Sequence, residues 1–417
     1  MDALNKALQD SRMQKLEELS VLEDELSNLR ADASVYTQRT KTPLFFKTTQ
    51  PKALEAVRHE IKQLSSSDAW AAVHGVAVVC SVVAQAVCRQ RLDDTWDWRT
   101  QASRDLLVRW TGDVEARRGL QLLVSAREWL AQHVLRSYKL TELLATEPYA
   151  VPAPVAARCG RWGTRLTQMS QTAQPALAFD LIETTQPACG SARVALLLHG
   201  GAYVTGSRKS YRTLAVRMSR ELRLAVYVAE YRLAPETKYP GQLYDALRAL
   251  AFLESQGHAA GSVVVVGDSA GGNLALALWQ ASRAPLAALV LLSPRVNVVS
   301  RSGSWARNLH RDILPVFDWQ TGSLAMLLSA ADRVADDVFL APVYAHWESA
   351  PRMLVQVGTG EVMLDDVREF VRRASREARV VYAEYQGAFH VFQAAPLGAN
   401  GAGEAWRQAG DFVRALG

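Results

Sequence analysis

Ser269 stands in Gly267-Asp268-Ser269-Ala270-Gly271-Gly272, directly after the apolar run Val263-Val264-Val265-Val266 and directly before the helix-forming Asn273-Leu274-Ala275-Leu276-Ala277-Leu278. A strand that turns into a helix through small residues around one serine makes a nucleophile elbow, whose sharp turn lifts the hydroxyl above the sheet. The same pattern alone also describes a glycine-rich turn with a capping serine. Further segments must therefore supply the rest of the chemistry. Upstream, the stretch Ala192 to Leu198, apolar but for Arg193, ends in His199-Gly200-Gly201-Ala202-Tyr203. Glycines after a strand let the backbone approach a bound carbonyl, and inward N–H groups there stabilise a tetrahedral oxyanion by about 3 kcal/mol per donor. The expected oxyanion hole is Gly200, Gly201, Ala202 and Ala270, the choice among the first three N–H groups being open.

A nucleophilic serine needs a base and an acid to orient it. His390 lies in Gly387-Ala388-Phe389-His390-Val391-Phe392, after the strand-like Val380 to Tyr385. From such a loop an imidazole reaches the serine hydroxyl as general base and then serves the leaving group as general acid. His199 reads as structural within its turn, and His59, His133, His258, His310 and His346 have no motif around them. Three carboxylates compete for the acid in Gly358-Thr359-Gly360-Glu361-Val362-Met363-Leu364-Asp365-Asp366, which follows the strand-like Met353 to Val357. Glu361, first after the strand, is the expected acid. Asp365 and Asp366 suit the first turn of the following helix, where negative charge meets the helix dipole.

His199-Gly200-Gly201-Ala202, Tyr231-Arg232-Leu233-Ala234-Pro235-Glu236 with Tyr239-Pro240, Gly267 to Gly272, and Gly387 to Phe392 together resemble the hormone-sensitive-lipase branch of the α/β-hydrolases. The order serine, acid, histidine is the one that fold uses. Within the branch the chain is most similar to fungal membrane-anchored steryl acetyl hydrolases, which implies an esterase acting on sterol acetates, with its catalytic domain in the lumen of the endoplasmic reticulum. Two positions depart from the family pattern. Ala202 replaces a glycine, which keeps the N–H and leaves the hole intact if the local φ is negative. Glu361 stands where aspartate is common and is one methylene longer.

These residues need a scaffold. The chain has 417 residues, 49% of them hydrophobic, enough for a large core. Strand-like and helical runs alternate from about 190 onward and close with Trp406, Ala409, Val413 and Leu416 at helical spacing. An α/β fold is expected, a mostly parallel central sheet covered by helices, with a helical cap. The expected division is a catalytic domain over 159–417 with a cap insertion at 295–346, a helical cap region over 91–158, and an α-helical segment over 1–66. In that last segment Leu19, Leu22, Leu26, Leu29, Ala33 and Tyr36 form a heptad-like seam, repeated by Leu54, Val57, Ile61 and Leu64 after Pro43 and Pro51. Such helices fold back as a hairpin or pair with another subunit. Residues 67–90 contain the uncharged run Ala69 to Cys88, long enough to cross a bilayer as a helix, or alternatively to be buried as a cap helix of a soluble, cytoplasmic enzyme. It begins too late to be an ordinary cleaved signal peptide, and basic residues on both sides leave its orientation open.

A net charge of +5 comes from 47 basic and 42 acidic residues spread along the chain without a nucleic-acid motif, which argues against nucleic acid as a partner. The four cysteines have no metal-ligand spacing, so neither a metal nor a cofactor is expected. Substrate contacts are expected from Tyr203 beside the oxyanion loop and from Trp305, Phe317 and Trp319 in the insertion, unless these aromatics simply pack the cap. The resulting expectation is a serine esterase for small esters of apolar alcohols. A non-catalytic ligand receptor on the same fold and an assembly protein acting through its N-terminal helices are the alternatives.

Overall fold

The computed structural model describes residues 34–38, 45–49, 138–184, 193–299, 302–314, 327–329, 337–395 and 399–416. β1 (Ser34–Gln38) and β2 (Phe45–Thr49) pair antiparallel, with Tyr36 opposite Lys47. The helical seam expected through Tyr36 therefore fails at that end, where Val35, Tyr36 and Thr37 are β-branched or aromatic and suit a pleated strand. This pair belongs to a compact unit separate from the one that carries all elements below. The rest of 1–66 and the run 69–88 lie outside the described residues, and no described helix is long and apolar enough to cross a membrane.

The second unit is built on eight strands in the order β10-β9-β8-β7-β5-β6-β4-β3. β5 (Val194–Leu198), β6 (Ala225–Ala229), β7 (Val263–Asp268), β8 (Ala288–Leu292), β9 (Arg352–Gly358) and β10 (Val380–Tyr385) run parallel. β3 (Tyr138–Ala145) and β4 (Leu177–Thr184) add an antiparallel margin. Over Tyr138–Ala145, β3 corrects the helical reading of 91–158, because there the chain is the outermost strand of the sheet, whereas 91–137 lie outside the described residues. Its exposure pattern, with Leu144 63% exposed, lacks the clean alternation that marks a half-buried strand.

The continuous apolar runs of the central strands face two cores at once. Leu196, Leu198, Val263 and Val265 join one cluster, whereas Ala195, Leu197, Val264 and Val266 join the other. Side chains alternate across a strand, so a parallel sheet covered on both faces needs such unbroken hydrophobic sequence. Helices α1 (Ala153–Arg158), α2 (Arg161–Ser170), α4 (Gly241–Ser255), α5 (Ala270–Ser282) and α7 (Leu364–Ala374) contribute to the first cluster. Helices α3 (Arg212–Leu222) and α8 (Ala402–Arg414) supply Leu214, Met218, Trp406, Ala409 and Val413 to the second. α5 is buried from Ala270 through Ala281, which explains why its sequence is apolar all round rather than amphipathic. Between β8 and β9 lies the insertion, which includes the short helix α6 (Gly303–Asn308).

Candidate active site

The carboxyl ends of β5, β7, β8, β9 and β10 converge, which is where an open parallel sheet receives ligands. At the end of β7, Ser269 has φ +52° and ψ −118°, and α5 begins at the next residue. Its N–H donates to Leu292 O at 3.0 Å, and its carbonyl accepts from Asn273 N–H at 3.2 Å and Arg295 N–H at 2.9 Å. The elbow closes only with glycine nearby. A Cβ on Gly271 would run into the carbonyl oxygens of Leu198 and His199, and one on Gly267 would run into that of Gly271.

His390 Nε2 lies 2.8 Å from Ser269 Oγ, and His390 Nδ1 lies 3.0 Å from Glu361 Oε2. The network assigns the neutral tautomer: Nδ1–H donates to the carboxylate, and Nε2 accepts the serine hydroxyl. Glu361 Oε1 is held in turn by the Ser293 hydroxyl at 2.6 Å and by Gly358 N–H at 2.5 Å. The loops after β9 and β10 are tied together, with Gly360 N–H donating to Ala388 O at 2.9 Å and Gly387 N–H to Thr359 Oγ1 at 2.7 Å. Ser293 accepts Val391 N–H at 3.0 Å, so one hydroxyl at the end of β8 braces both the acid and the residue after the base. Asp365 and Asp366 sit in the first turn of α7, and Asp365 is paired with Arg307 at 2.7 Å on the surface.

Glu361 is 0% exposed and His390 is 3% exposed. Burial pushes the Glu361 carboxyl above the ordinary carboxylate range, against which its Ser293 and Gly358 donors favour the anion. Burial also lowers His390 below its usual value; the buried carboxylates Asp312 and Asp268 pull it back up, and the Arg295 guanidinium pulls it further down. A neutral imidazole poised between such charges is suited to take a proton from Ser269.

The oxyanion loop departs from the sequence expectation at two places. Gly200 N–H donates to Asp268 Oδ1 at 2.9 Å and to the Tyr211 hydroxyl at 3.0 Å, so it belongs to the frame and not to the hole. Of the four expected donors, this leaves the N–H groups of Gly201, Ala202 and Ala270 as the candidates. Ala202 has φ +54° and Gly201 φ +109°, so the negative φ on which the hole at Ala202 was conditional is not met, and its N–H can serve as a donor only from a left-handed backbone. A left-handed alanine is strained by about 1–2 kcal/mol. Tyr203, Ser269, Ser293 and Val391 share positive φ, so backbone strain is concentrated at this site.

The resembling motifs serve mainly as props. His199 is buried, stacks on Tyr231 at 4.2 Å between ring centroids, and directs Nδ1 at Gly200 O at 2.8 Å. Burial lowers its pKa to about 4, which keeps the ring neutral. The Tyr231 hydroxyl donates to His199 O at 2.6 Å, and Arg232 forks onto Asp245 through two 2.8 Å bonds. Tyr203, expected at the substrate, is instead 2% exposed and donates its hydroxyl to Asn273 Oδ1 at 2.7 Å. That bond satisfies a hydroxyl which burial has cut off from water. Trp305 is half-buried in α6, and its indole N–H has no partner among the described residues. Phe317 and Trp319 lie outside the described residues. Cys159 is a buried free thiol that burial raises to about 12.

Asp268, Ser293, Arg295 and Asp312 emerge only from the structure. Asp268 lay within the elbow motif, and its acidity next to a glycine-rich loop was the available signal. Ser293 directly follows β8. Nothing local marked Arg295 or Asp312.

Comparisons with known proteins agree with this geometry. A family profile described as alpha/beta hydrolase fold matches residues 195–394. An acetyl-hydrolase of Streptomyces hygroscopicus is 33% identical over 217 residues, spanning 50% of this chain and 71% of that protein. A versiconal hemiacetal acetate esterase of Aspergillus parasiticus is 29% identical over 230 residues, spanning 50% of this chain and 69% of that protein. The crystal structure of a hormone-sensitive lipase from a metagenome library superposes with a TM-score of 0.53 at 26% identity, covering 58% of this chain and 82% of that one.

Proposed function

Since the chain belongs to the α/β-hydrolase fold family and is a carboxylic ester hydrolase, we propose that it cleaves short-acyl esters, acetates above all, of apolar alcohols through an acyl-enzyme on Ser269. The observation that carries this reading is the unbroken hydrogen-bond chain from Ser269 Oγ through His390 to Glu361. Ser269 Oγ attacks the ester carbonyl while His390 Nε2 takes its proton, and the carbonyl oxygen becomes an oxyanion facing the Gly201, Ala202 and Ala270 N–H groups. The imidazolium is stabilised by Glu361 and then protonates the departing alkoxide. Water, deprotonated by the same imidazole, attacks the acyl-enzyme, and collapse of the second tetrahedral intermediate releases the acid and restores the serine.

The acetyl preference is supported by the names of the Streptomyces and Aspergillus relatives, and sterol acetates are the members of that class favoured by the motif resemblance. An intact serine, histidine and carboxylate disfavour the receptor alternative. We further propose that the run Ala69 to Cys88 anchors the enzyme to a membrane.

The test is a panel of acetate, butyrate and long-chain esters, including sterol acetates, on membranes expressing the chain or its Ser269→Ala variant. Acetates are expected to turn over fastest, and a fluorophosphonate reagent is expected to label only the chain with Ser269. Equal labelling of both proteins overturns the nucleophile, and a preference for long acyl chains overturns the substrate class.

A further inference from the structure

Asp312 comes from the insertion between β8 and β9, far in sequence from the serine, the acid and the base, yet it reaches the loops of two of them. Its side chain is 0% exposed. Oδ1 accepts His390 N–H at 2.8 Å and Ile313 N–H at 2.8 Å, while Oδ2 accepts Val362 N–H at 2.8 Å. One carboxylate thus clasps the backbone of the base and the backbone of the residue after Glu361. No lysine or arginine pairs with it among the described residues. A buried carboxylate without a cation is costly, and it persists where several N–H groups satisfy it and its charge has a use. The surrounding contacts come from the same insertion. Ser304 Oγ donates to Val362 O at 2.6 Å, and Asn308 Nδ2 donates to Glu361 O at 2.7 Å and Thr359 O at 3.0 Å.

We propose that Asp312 is a positioning residue for the ester hydrolysis: it locks the loops of His390 and Glu361 in register, and its negative charge steadies the protonated imidazole formed during each turnover. The inference rests on the serine, histidine and glutamate roles given above. Donors face both oxygens, so only an acceptor on each oxygen satisfies the site; a carboxylate does this and an amide does not. Asparagine would turn its NH2 group either toward the His390 and Ile313 N–H groups or toward that of Val362, freeing one loop. The charged and titratable groups described around His390 are Glu361, Asp312, Asp268 and Arg295, and the first three favour or accept its protonated form. Burial pushes Asp312 itself up to about 6; the positive charge of protonated His390 opposes the rise, the Glu361 charge adds to it, and the Val362 and His390 N–H groups oppose it further.

The test compares the chain with Asp312→Asn and Asp312→Glu, with rates expressed per site labelled by a fluorophosphonate, so that misfolded protein does not count. For Asp312→Asn the plateau kcat is expected to fall at least about tenfold with little change in KM. The acid limb of kcat/KM is expected to move down by about half a pH unit, because a nearby anion that raised the histidine pKa is gone. Asp312→Glu keeps the charge but displaces the clasp, so its plateau is expected to fall while the limb stays. A purely structural aspartate would lower melting temperature and labelled fraction and leave the limb of Asp312→Asn in place, which overturns the electrostatic role. Wild-type kcat per labelled site in both variants overturns the positioning role. Absence of labelling in the unsubstituted chain would instead refute the nucleophile assignment on which the inference rests.

Discussion

Glu361→Gln changes one oxygen to an NH2 group and nothing else, and the surrounding donors determine its effect. The three groups facing the carboxylate, His390 Nδ1, the Ser293 hydroxyl and Gly358 N–H, all act as donors to it. Glutamine has one acceptor for them. If its NH2 faces Gly358 and Ser293, the serine hydroxyl can rotate to accept, but Gly358 N–H stays buried and unsatisfied, at a cost of about 1–3 kcal/mol. If its NH2 faces His390, the ring must carry its proton on Nε2, where it no longer accepts from Ser269. The second arrangement leaves every backbone donor satisfied and is therefore the one expected. A wrong tautomer of this kind lowers kcat by about 10⁴ in the serine-protease triad, equivalent to roughly 5 kcal/mol of transition-state stabilisation. A drop of about 10³ to 10⁴ in kcat is expected here, with KM and melting temperature close to those of the parent, measured by steady-state hydrolysis of an activated acetate. Asp365→Asn is the control: its carboxylate is 28% exposed and paired with surface arginines, so the expected change is within about 0.5 kcal/mol. Retention of a tenth or more of kcat by Glu361→Gln, or inactivation by Asp365→Asn, refutes the assignment of the acid.

Ala202→Gly removes a Cβ held at positive φ, so a gain of about 1 kcal/mol is expected, seen as a rise of about 2 °C in melting temperature; an unchanged or lower value contradicts the strain. Arg295 is 8% exposed, its Nε has no partner among the described residues, and its charge lowers the His390 pKa. Arg295→Met removes that repulsion, so imidazolium forms more readily and the acid limb of kcat/KM should move up by about half a unit, opposite in sign to Asp312→Asn. A limb that stays or moves down rules out the electrostatic coupling. For the anchor, Val79→Arg with Val82→Arg is expected to release the protein from membranes, since a charge at the centre of a spanning helix costs about 3 kcal/mol on insertion scales. Recovery of the unsubstituted, fully active chain in the soluble fraction after alkaline carbonate extraction contradicts the anchor.

That Ser269, His390 and Glu361 come together could be read from sequence because each belongs to a short segment whose local conformation forces its composition. The elbow needs glycine where backbone meets backbone, and β7 needs valine on both faces. The reading failed where meaning lies in long-range contacts. Gly200 matches an oxyanion glycine by spacing, but its N–H points at Asp268, a fact of tertiary approach. Tyr203 has the character of a substrate-facing aromatic until Asn273 claims its hydroxyl. β3 escaped notice because an outermost strand is not obliged to alternate, and Tyr36 extended a heptad-like spacing that its strand-favouring neighbours overruled. Asp312 had no local signature at all, since all it offers is an acceptor for backbone N–H groups remote in sequence.

The order of the sheet also governs when activity can appear. Ser269, Ser293, Glu361 and His390 come after β7, β8, β9 and β10, adjacent strands that are joined in parallel, and the oxyanion loop comes after β5 on the other side of β7. Parallel pairings of this kind close long loops and form slowly relative to the helices between them. The hydroxyl, the imidazole and the carboxylate meet only after β10 has docked on β9 and β9 on β8. In a refolding experiment the far-ultraviolet circular dichroism should therefore recover ahead of esterase turnover, and no partly folded species should hydrolyse ester at a fraction of the native rate. Turnover then serves as a late, all-or-none clock for the whole sheet.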